Sequence, residues 1–194
     1  NERGNDNSKT EKKEKKTDKS KPVVLPVEQQ EAFFNSAIEL TVAKIVDVKP
    51  NPEAEKLYIE TLDDGSGIPR TIQSGLRMYL KESELLGKHV IIVSNLAPRT
   101  MRGVESRGML LACDYKDSEG KDCVEVLDAS WAKPGTKVVI EGANQETKKA
   151  EINAEQFFAV SINAVNGFVE IAGKKLVADG KAITTSKALN SEIG

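Results

Sequence analysis

The chain contains a single histidine, His89, and two cysteines, Cys113 and Cys123, among its 194 residues. One imidazole at the start of a strand-like segment cannot build a histidine-rich metal site or a Ser-His-Asp triad. The two cysteines lack the partners of a zinc site. Walker-type phosphate loops are absent, and Arg70 occupies the position where Gly65-Ser-Gly67 would need a third glycine. This inventory predicts a protein that is not an enzyme and has no metal or cofactor.

Long apolar runs and secretion signals are also missing from the sequence. No stretch is long enough to cross a bilayer, none has the form of a signal peptide, and no Asn-x-Ser/Thr acceptor occurs. We therefore expect a cytoplasmic protein with no membrane partner and reduced cysteines. A hydrophobic content of 39% in 194 residues is enough for one domain, or one domain with a small appendage.

Net charge is low, at -2, but it is distributed unevenly along the sequence. Residues 1–21 carry +3, residues 22–69 carry -6, residues 70–107 carry +4 and residues 108–194 carry -3. An acidic protein with one basic face can still bind a polyanion, and its acidic remainder discourages indiscriminate binding. Residues 1–22 hold almost no apolar side chains, so we expect a disordered basic tail or linker there.

The most informative segment is residues 95–109, Asn-Leu-Ala-Pro-Arg-Thr-Met-Arg-Gly-Val-Glu-Ser-Arg-Gly-Met. Its proline and glycine predict a turn between two strands. Three planar, permanently charged guanidiniums lie beside two flexible, polarizable thioethers. Such a combination suits phosphates and stacked bases better than it suits a protein core.

This segment resembles a stretch of the tRNA-binding domain found in endothelial monocyte-activating polypeptide II, in the fungal aminoacylation cofactor, and at the C-termini of some methionyl-, tyrosyl- and lysyl-tRNA synthetases. Two upstream blocks resemble the same family in the same order. They are residues 51–60, Asn-Pro-Glu-Ala-Glu-Lys-Leu-Tyr-Ile-Glu, and residues 69–76, Pro-Arg-Thr-Ile-Gln-Ser-Gly-Leu. The similarity extends from about residue 40 to residue 142, and the C-terminal residues 186–194 resemble the end of the polypeptide II appendage.

The resemblance implies a mainly β fold: a five-stranded OB-fold barrel with a small helix-plus-hairpin C-terminal appendage. Strand-like segments fit this order, with a short helix or turn at 81–87 between the third and fourth; they are 40–49, 57–62, 70–74, 89–94 and 104–112. Strand count alone does not distinguish this barrel from other small barrels. The expected domains are an N-terminal helix within 23–39, the OB-fold at 40–142 and the appendage at 143–194.

Within the appendage, apolar spacing predicts one amphipathic helix over 152–166, then a hairpin over 167–185 that turns at Ala172-Gly-Lys-Lys. About fifty residues are too few for a confident independent core, so this unit should pack on the barrel. In the family such an appendage covers the surface that bacterial relatives use to dimerise. The resemblance therefore implies a pseudo-dimer that is a monomer.

The basic segment supplies most of the candidate tRNA-binding residues. Arg99 and Arg102 are expected to contact phosphates, Asn95 and Ser106 to hydrogen-bond to sugar or base edges, and the two methionines to pack against bases or ribose. Ser74 and Gly75 should face the same groove. The complete set is Ser74, Gly75, Asn95, Arg99, Met101, Arg102, Ser106, Arg107 and Met109.

Structural alternatives stay open for some of these residues. Asn95 could form the turn, Met109 could belong to the core, and Arg107 could be an ordinary exposed charge. The family often has lysine immediately before Pro98, where this chain has Ala97. That difference removes a phosphate contact, which Arg99 could replace.

The expected partners are tRNA and a methionyl-, lysyl- or tyrosyl-tRNA synthetase, to which the module would deliver tRNA. One alternative is a released, cytokine-like chemotactic fragment, but residues 41–47 lose the arginine, glycine and threonine of the family segment linked to that activity. Another alternative is an adaptor that assembles synthetases.

Overall fold

The computed structural model describes residues 23–144 and 149–194. Tail residues 1–22, expected to be disordered, lie outside the described residues. The described elements, in chain order, are α1 Val27–Ala37, β1 Leu40–Asn51, β2 Ala54–Asp63, β3 Arg70–Ser74, α2 Glu82–Leu85, β4 His89–Val93, β5 Arg99–Met101, β6 Val104–Ser106, β7 Ala112–Lys116, β8 Asp122–Val126, β9 Lys137–Ile140, α3 Ala154–Phe158, β10 Ile162–Val165, β11 Phe168–Ile171, β12 Lys174–Ala178, β13 Lys181–Ala182 and β14 Ser191–Glu192.

Antiparallel pairing organises these strands around β1, which confirms the mainly β fold class. Its first half pairs with β4, from Leu40 opposite Val93 to Lys44 opposite His89. The second half pairs with β2, which in turn pairs with β3. One large sheet runs in the order β14-β10-β11-β12-β9-β1-β2-β3, and β5–β6 and β7–β8 form two separate hairpins.

The chain that follows β6 lies between β3 and β4. Arg107 donates its backbone N–H to the carbonyl of Thr71 on β3 at 2.8 Å. On the other side, Val93 of β4 donates to Met109 at 3.0 Å, and Leu111 donates to Ile91 at 2.9 Å. The segment is therefore hydrogen-bonded to both neighbours, although regular β6 ends at Ser106.

Two clusters of buried apolar side chains fill the molecule. One cluster lies among β1, β2, β3 and β4 and includes Ile45, Leu62, Ile72 and Ile92. The other joins α1 and the start of β1 to α3 and strands β9 to β12, as Phe34, Phe157 and Ile171 illustrate. The C-terminal residues thus bury their apolar faces against the preceding strands, as their short length predicts.

Two predictions of secondary structure are wrong. The single helix expected over 152–166 is a short helix, α3, followed by strand β10. Asn153 caps α3, and Asn166-Gly167, both at positive φ, form a hairpin turn between β10 and β11. The single strand expected over 104–112 is interrupted near Gly108, whose φ is +128°. The hairpin at Ala172-Gly173 is confirmed.

The described residues contain no helix whose length and apolar character would let it span a bilayer.

Glu60 is an ionisable side chain completely buried on β2. The hydroxyl of Ser74 donates to its Oε1 atom, while its Oε2 atom has no hydrogen-bond partner among the described residues. Burial disfavours the carboxylate and raises the pKa of Glu60 from 4.5 to about 8. The folded protein consequently holds a proton there that the unfolded chain releases above about pH 4.5.

Because the unfolded chain binds fewer protons between these two pKa values, the free energy of unfolding should decrease as pH rises from about 4.5 to about 8. The slope from one proton is at most about 1.4 kcal/mol per pH unit. Glu60→Gln should remove this slope, which urea unfolding at several pH values can measure. Glu55→Gln, an exposed change on the same strand, should leave it intact. If the free energy of unfolding changes with pH equally in wild type and Glu60→Gln, the raised pKa of Glu60 is contradicted.

Candidate nucleic-acid interface

The basic segment predicted from sequence forms a short hairpin from β5 and β6, with Arg99 opposite Ser106 and Met101 opposite Val104. Its two turn residues, Arg102 at φ +48° and Gly103 at φ +79°, both have positive φ. This geometry belongs to a tight type I′ turn, which suits the twist of two antiparallel strands. The turn places the Arg102 side chain, which is exposed, at the tip of the hairpin.

A buried amide on β3 fixes this hairpin to the sheet. Gln73 is 5% exposed and donates from Nε2 to the carbonyls of Met101 at 2.8 Å and Val104 at 3.0 Å. Its Oε1 atom accepts a hydrogen bond from Asn51 Nδ2 at 2.8 Å, and its backbone N–H donates to Ser106 Oγ at 2.9 Å. The three sequence blocks therefore meet at one side chain.

Sequence reasoning missed both Gln73 and Asn51. Asn51 is 1% exposed at the end of β1 and is the first residue of the block at 51–60. Gln73 occupies a buried position of a five-residue strand. The one available signal is a polar side chain next to apolar Ile72, and this does not reveal which carbonyls the amide will reach.

Beside the hairpin lies an open cavity of about 840 Å³. It is bounded by the hairpin, by the chain that follows β3, by strands β7 and β8, and by residues of α3 and the C-terminal segment. Six of the nine predicted site residues line this cavity, and they belong to the blocks at 69–76 and 95–109. They are Ser74, Gly75, Arg99, Met101, Ser106 and Met109. A Cβ built at Gly75 would meet no atom within 4 Å, so the surface is open there.

The three arginines do not all lie at this cavity. Arg99 is exposed and lines it, whereas Arg102 projects from the hairpin tip. Arg107 borders a neighbouring cavity, and its Nε lies 2.7 Å from Glu105 Oε1. Both side chains of that pair are at least half exposed, so the pair is weak and open to exchange with another anion.

Asn95 and Ser106 are hydrogen-bonded inside the protein, contrary to the roles expected for them. Asn95 Oδ1 accepts from the backbone N–H of Glu39, and its Nδ2 donates to the carbonyls of Ala37 and Ala150. Ser106 is 3% exposed, and its hydroxyl accepts from Gln73 and donates to Gly108. Both side chains therefore support the loop structure.

The remaining predicted residues are partly accessible. Ser74 is half-buried, and its hydroxyl is engaged with buried Glu60. Met101 and Met109 are half-buried, and Met109 packs against the apolar cluster that contains α1. Both methionines therefore line the cavity while remaining partly buried.

Neither a metal site nor a reactive thiol accompanies the cavity. Within residues 23–144 and 149–194, no group of three or more His, Cys, Asp or Glu side chains is placed to hold a metal ion. Burial raises the pKa of Cys113, which lines the cavity, to about 12, so its thiol stays protonated near neutral pH.

Comparison with known families identifies the family of this chain. The family model of the tRNA binding domain matches residues 40–137. This range includes the two blocks that line the cavity, residues 69–76 and 95–109. The chain belongs to the tRNA-binding domain family. The matching region is a binding domain and not a catalytic one.

Curated relatives of the chain include methionine–tRNA and tyrosine–tRNA ligases. It is 49% identical to methionine–tRNA ligase of Treponema denticola over 173 residues, which cover 84% of this chain and 22% of that protein. Cytoplasmic tyrosine–tRNA ligase of Xenopus laevis is 40% identical over 122 residues, or 62% of this chain and 23% of that protein. The chain thus spans less than a quarter of the length of these relatives.

A solved structure shares the fold. The C-terminal domain of Plasmodium vivax p43 superposes with a TM-score of 0.71 at 24% sequence identity, covering 82% of this chain and 98% of that one. At this identity the likeness concerns the fold alone. Its coverage shows that the likeness extends beyond the segment that the family model matches.

Replacing Gln73 by leucine should release the hairpin, because the carbonyls of Met101 and Val104 would lose their buried donor. An unsatisfied buried carbonyl costs about 1–3 kcal/mol. Trypsin cleavage after Arg102 should therefore become faster under native conditions, since cleavage depends on the population of the opened loop. Mass spectrometry of timed digests would measure the rate.

Gln29→Leu, a change at an exposed position of α1, provides the matched control and should leave this cleavage rate unaltered. If Gln73→Leu is digested after Arg102 as slowly as wild type, the amide does not hold the hairpin.

Proposed function

We propose that the chain is a non-catalytic tRNA-binding module that delivers tRNA to an aminoacyl-tRNA synthetase, fused to it or in complex with it. It would recognise the shape and phosphates of tRNA and would not read sequence. The observation that carries the proposal is the firmly held hairpin, from which exposed Arg99 and Arg102 project. Neither arginine forms an ion pair with any described residue.

Free guanidiniums on a fixed backbone favour phosphate binding for two reasons. Their planar donors match phosphate oxygens, and no internal carboxylate must be displaced first. Little loop ordering is needed on binding, because Gln73 already fixes the turn. Arg107 would contribute after exchanging Glu105 for a phosphate. Arg99 would compensate for Ala97, where the family often has lysine.

We further propose that residues 40–142 form the five-stranded OB-fold barrel expected from sequence. Support comes from the pairing order: β1 pairs with β2 and β4, β2 with β3, and residues 107–111 bond to β3 on one side and β4 on the other. The path β1-β2-β3-(104–111)-β4-β1 would close such a barrel. Residues 143–194 would be the appendage.

The identity of the partner synthetase follows the relatives. Methionyl- and tyrosyl-tRNA ligases are favoured by sequence similarity, whereas a lysyl enzyme rests on the sequence resemblance alone. A cytoplasmic location is proposed with them, because the tyrosyl relative is a cytoplasmic enzyme. A monomer is proposed because the C-terminal strands share an apolar cluster with α1 and β1 instead of leaving that face open.

The cytokine-like alternative receives no support from the surface. The relevant segment, residues 41–47, lies in β1, where Thr41, Val42 and Ala43 are at most 2% exposed. Lys44, Val46 and Asp47 are exposed, but the segment lacks the arginine, glycine and threonine of the family segment linked to that activity. We therefore do not propose a chemotactic role, and no contact favours the adaptor role over delivery.

Removing one tip charge should weaken tRNA binding in a salt-dependent manner. Arg102→Asn suits this test because asparagine tolerates the positive φ of the turn. If Arg102 contacts one phosphate, the slope of log K against log salt should fall by about one. Filter-binding titrations with total tRNA between about 50 and about 200 mM salt would measure it.

Lys116→Gln removes an equal charge from the β7–β8 hairpin, where Lys116 pairs with Asp122 and lines none of the cavities described above. Its slope should match wild type. An Arg102→Asn slope equal to wild type, with folding intact, counts against the phosphate contact, and failure of the wild-type protein to bind tRNA rules out the function.

A further inference from the structure

The cavity contains an aromatic side chain that phosphate recognition leaves unused. Tyr79 lines the same cavity as Arg99 and Met101, and its side chain is 50% exposed. Its hydroxyl has no hydrogen-bond partner among the described residues, unlike buried Tyr58, whose hydroxyl donates to the Leu80 carbonyl at 2.7 Å. Tyr79 is therefore a large, accessible ring that the fold does not bury.

The backbone beneath Tyr79 is nevertheless fixed. Tyr79 and Leu80 both donate their backbone N–H groups to the Leu76 carbonyl, at 3.0 and 2.9 Å. Leu76 is 7% exposed within the apolar cluster, and the Tyr58 hydroxyl donates to the carbonyl of Leu80, the residue after Tyr79. A tyrosine held in this way offers a flat face with little conformational entropy to lose, since only two side-chain torsions remain free.

The other walls of the cavity complement a nucleobase. Leu76, Met101, Met109 and Phe158 supply apolar surface. Arg99 supplies a cation, and Asp114 and Glu192 also line the cavity, so a phosphate is favoured only at the Arg99 side. A volume of about 840 Å³ falls in the range that takes small, mostly apolar ligands with a few polar contacts. A base that is paired and stacked in an RNA duplex cannot enter such a cavity, because its faces are covered by its neighbours.

We propose that this cavity binds an unpaired nucleotide of the RNA, with its base stacked on Tyr79 and packed against the methionines, and its phosphate toward Arg99. This inference rests on the proposed tRNA-binding function and adds a subsite to it. A tRNA offers unpaired bases in its loops and at its end, so duplex shape and one splayed base can be recognised together. Arg99 favours this occupant over an apolar peptide, which would leave its guanidinium unpaired.

Variants at position 79 test the subsite against three probes: total tRNA, a single-stranded RNA of about 12 nucleotides, and a duplex of the same length. Tyr79→Ala should weaken binding of tRNA and single strand about tenfold, with duplex binding and the salt slope unchanged. Tyr79→Phe should retain wild-type affinity. Met78→Ala, at an exposed neighbour that does not line the cavity, should behave as wild type.

A fluorescent variant reports the contact itself. The chain has one tryptophan, Trp131, which does not line the cavity. Tyr79→Trp adds an indole at the subsite, and its emission should be quenched by the single-stranded RNA and not by the duplex. Wild-type protein, with Trp131 alone, gives the baseline.

The outcomes separate the two proposals. Equal binding of all three probes by Tyr79→Ala and wild type overturns the subsite, while a persisting effect of Arg102→Asn on tRNA leaves the proposed function standing. Absence of tRNA binding by the wild-type protein overturns both. If Tyr79→Ala lowers affinity for an unstructured apolar peptide and not for RNA, the cavity is a peptide site and the inference is wrong.

Discussion

The buried amide of Gln73 is the interaction on which the candidate interface depends. A three-residue strand on each side of a tight turn is not stable by itself in water. Here the turn carbonyls of Met101 and Val104 receive their hydrogen bonds from β3, and Asn51 fixes the rotamer of Gln73 from the end of β1. The orientation of the arginines therefore follows from the sheet, and the hairpin adds little freedom of its own.

This arrangement separates the groups that build the site from those that can meet a ligand. Asn95, Ser106 and Gln73 have their polar atoms engaged by the protein, whereas Arg99 and Arg102 are exposed. Buried polar groups are costly unless every partner is present, so the supporting residues tolerate little change. Exposed guanidiniums are solvated by water and need no partner within the protein, so their number can vary without loss of the fold.

Much of the fold could be predicted from sequence, because strand periodicity and the Ala172-Gly173 turn are local signals. The helix expected over 152–166 failed because Ile162 and Val165, three residues apart as on a helix face, lie on opposite faces of strand β10: Ile162 is 1% exposed and Val165 is 43% exposed. The Asn166-Gly167 turn, at positive φ, favours the hairpin instead. The hydrogen-bond partners of Asn95 are more than fifty residues away in sequence, so no local pattern could reveal that its amide was already committed.

The charge distribution bears on how such a module would work. Residues 70–107 carry +4 within a chain of net charge -2. This segment therefore attracts a polyanion, whereas the acidic segments 22–69 and 108–194 repel it. A few exposed arginines give modest, salt-sensitive affinity, and modest affinity allows rapid release. For a module joined to a synthetase, tight binding brings no advantage, because its contribution is the raised local concentration of tRNA. Rigid support beneath a small number of free cations is therefore the combination that a delivery role requires.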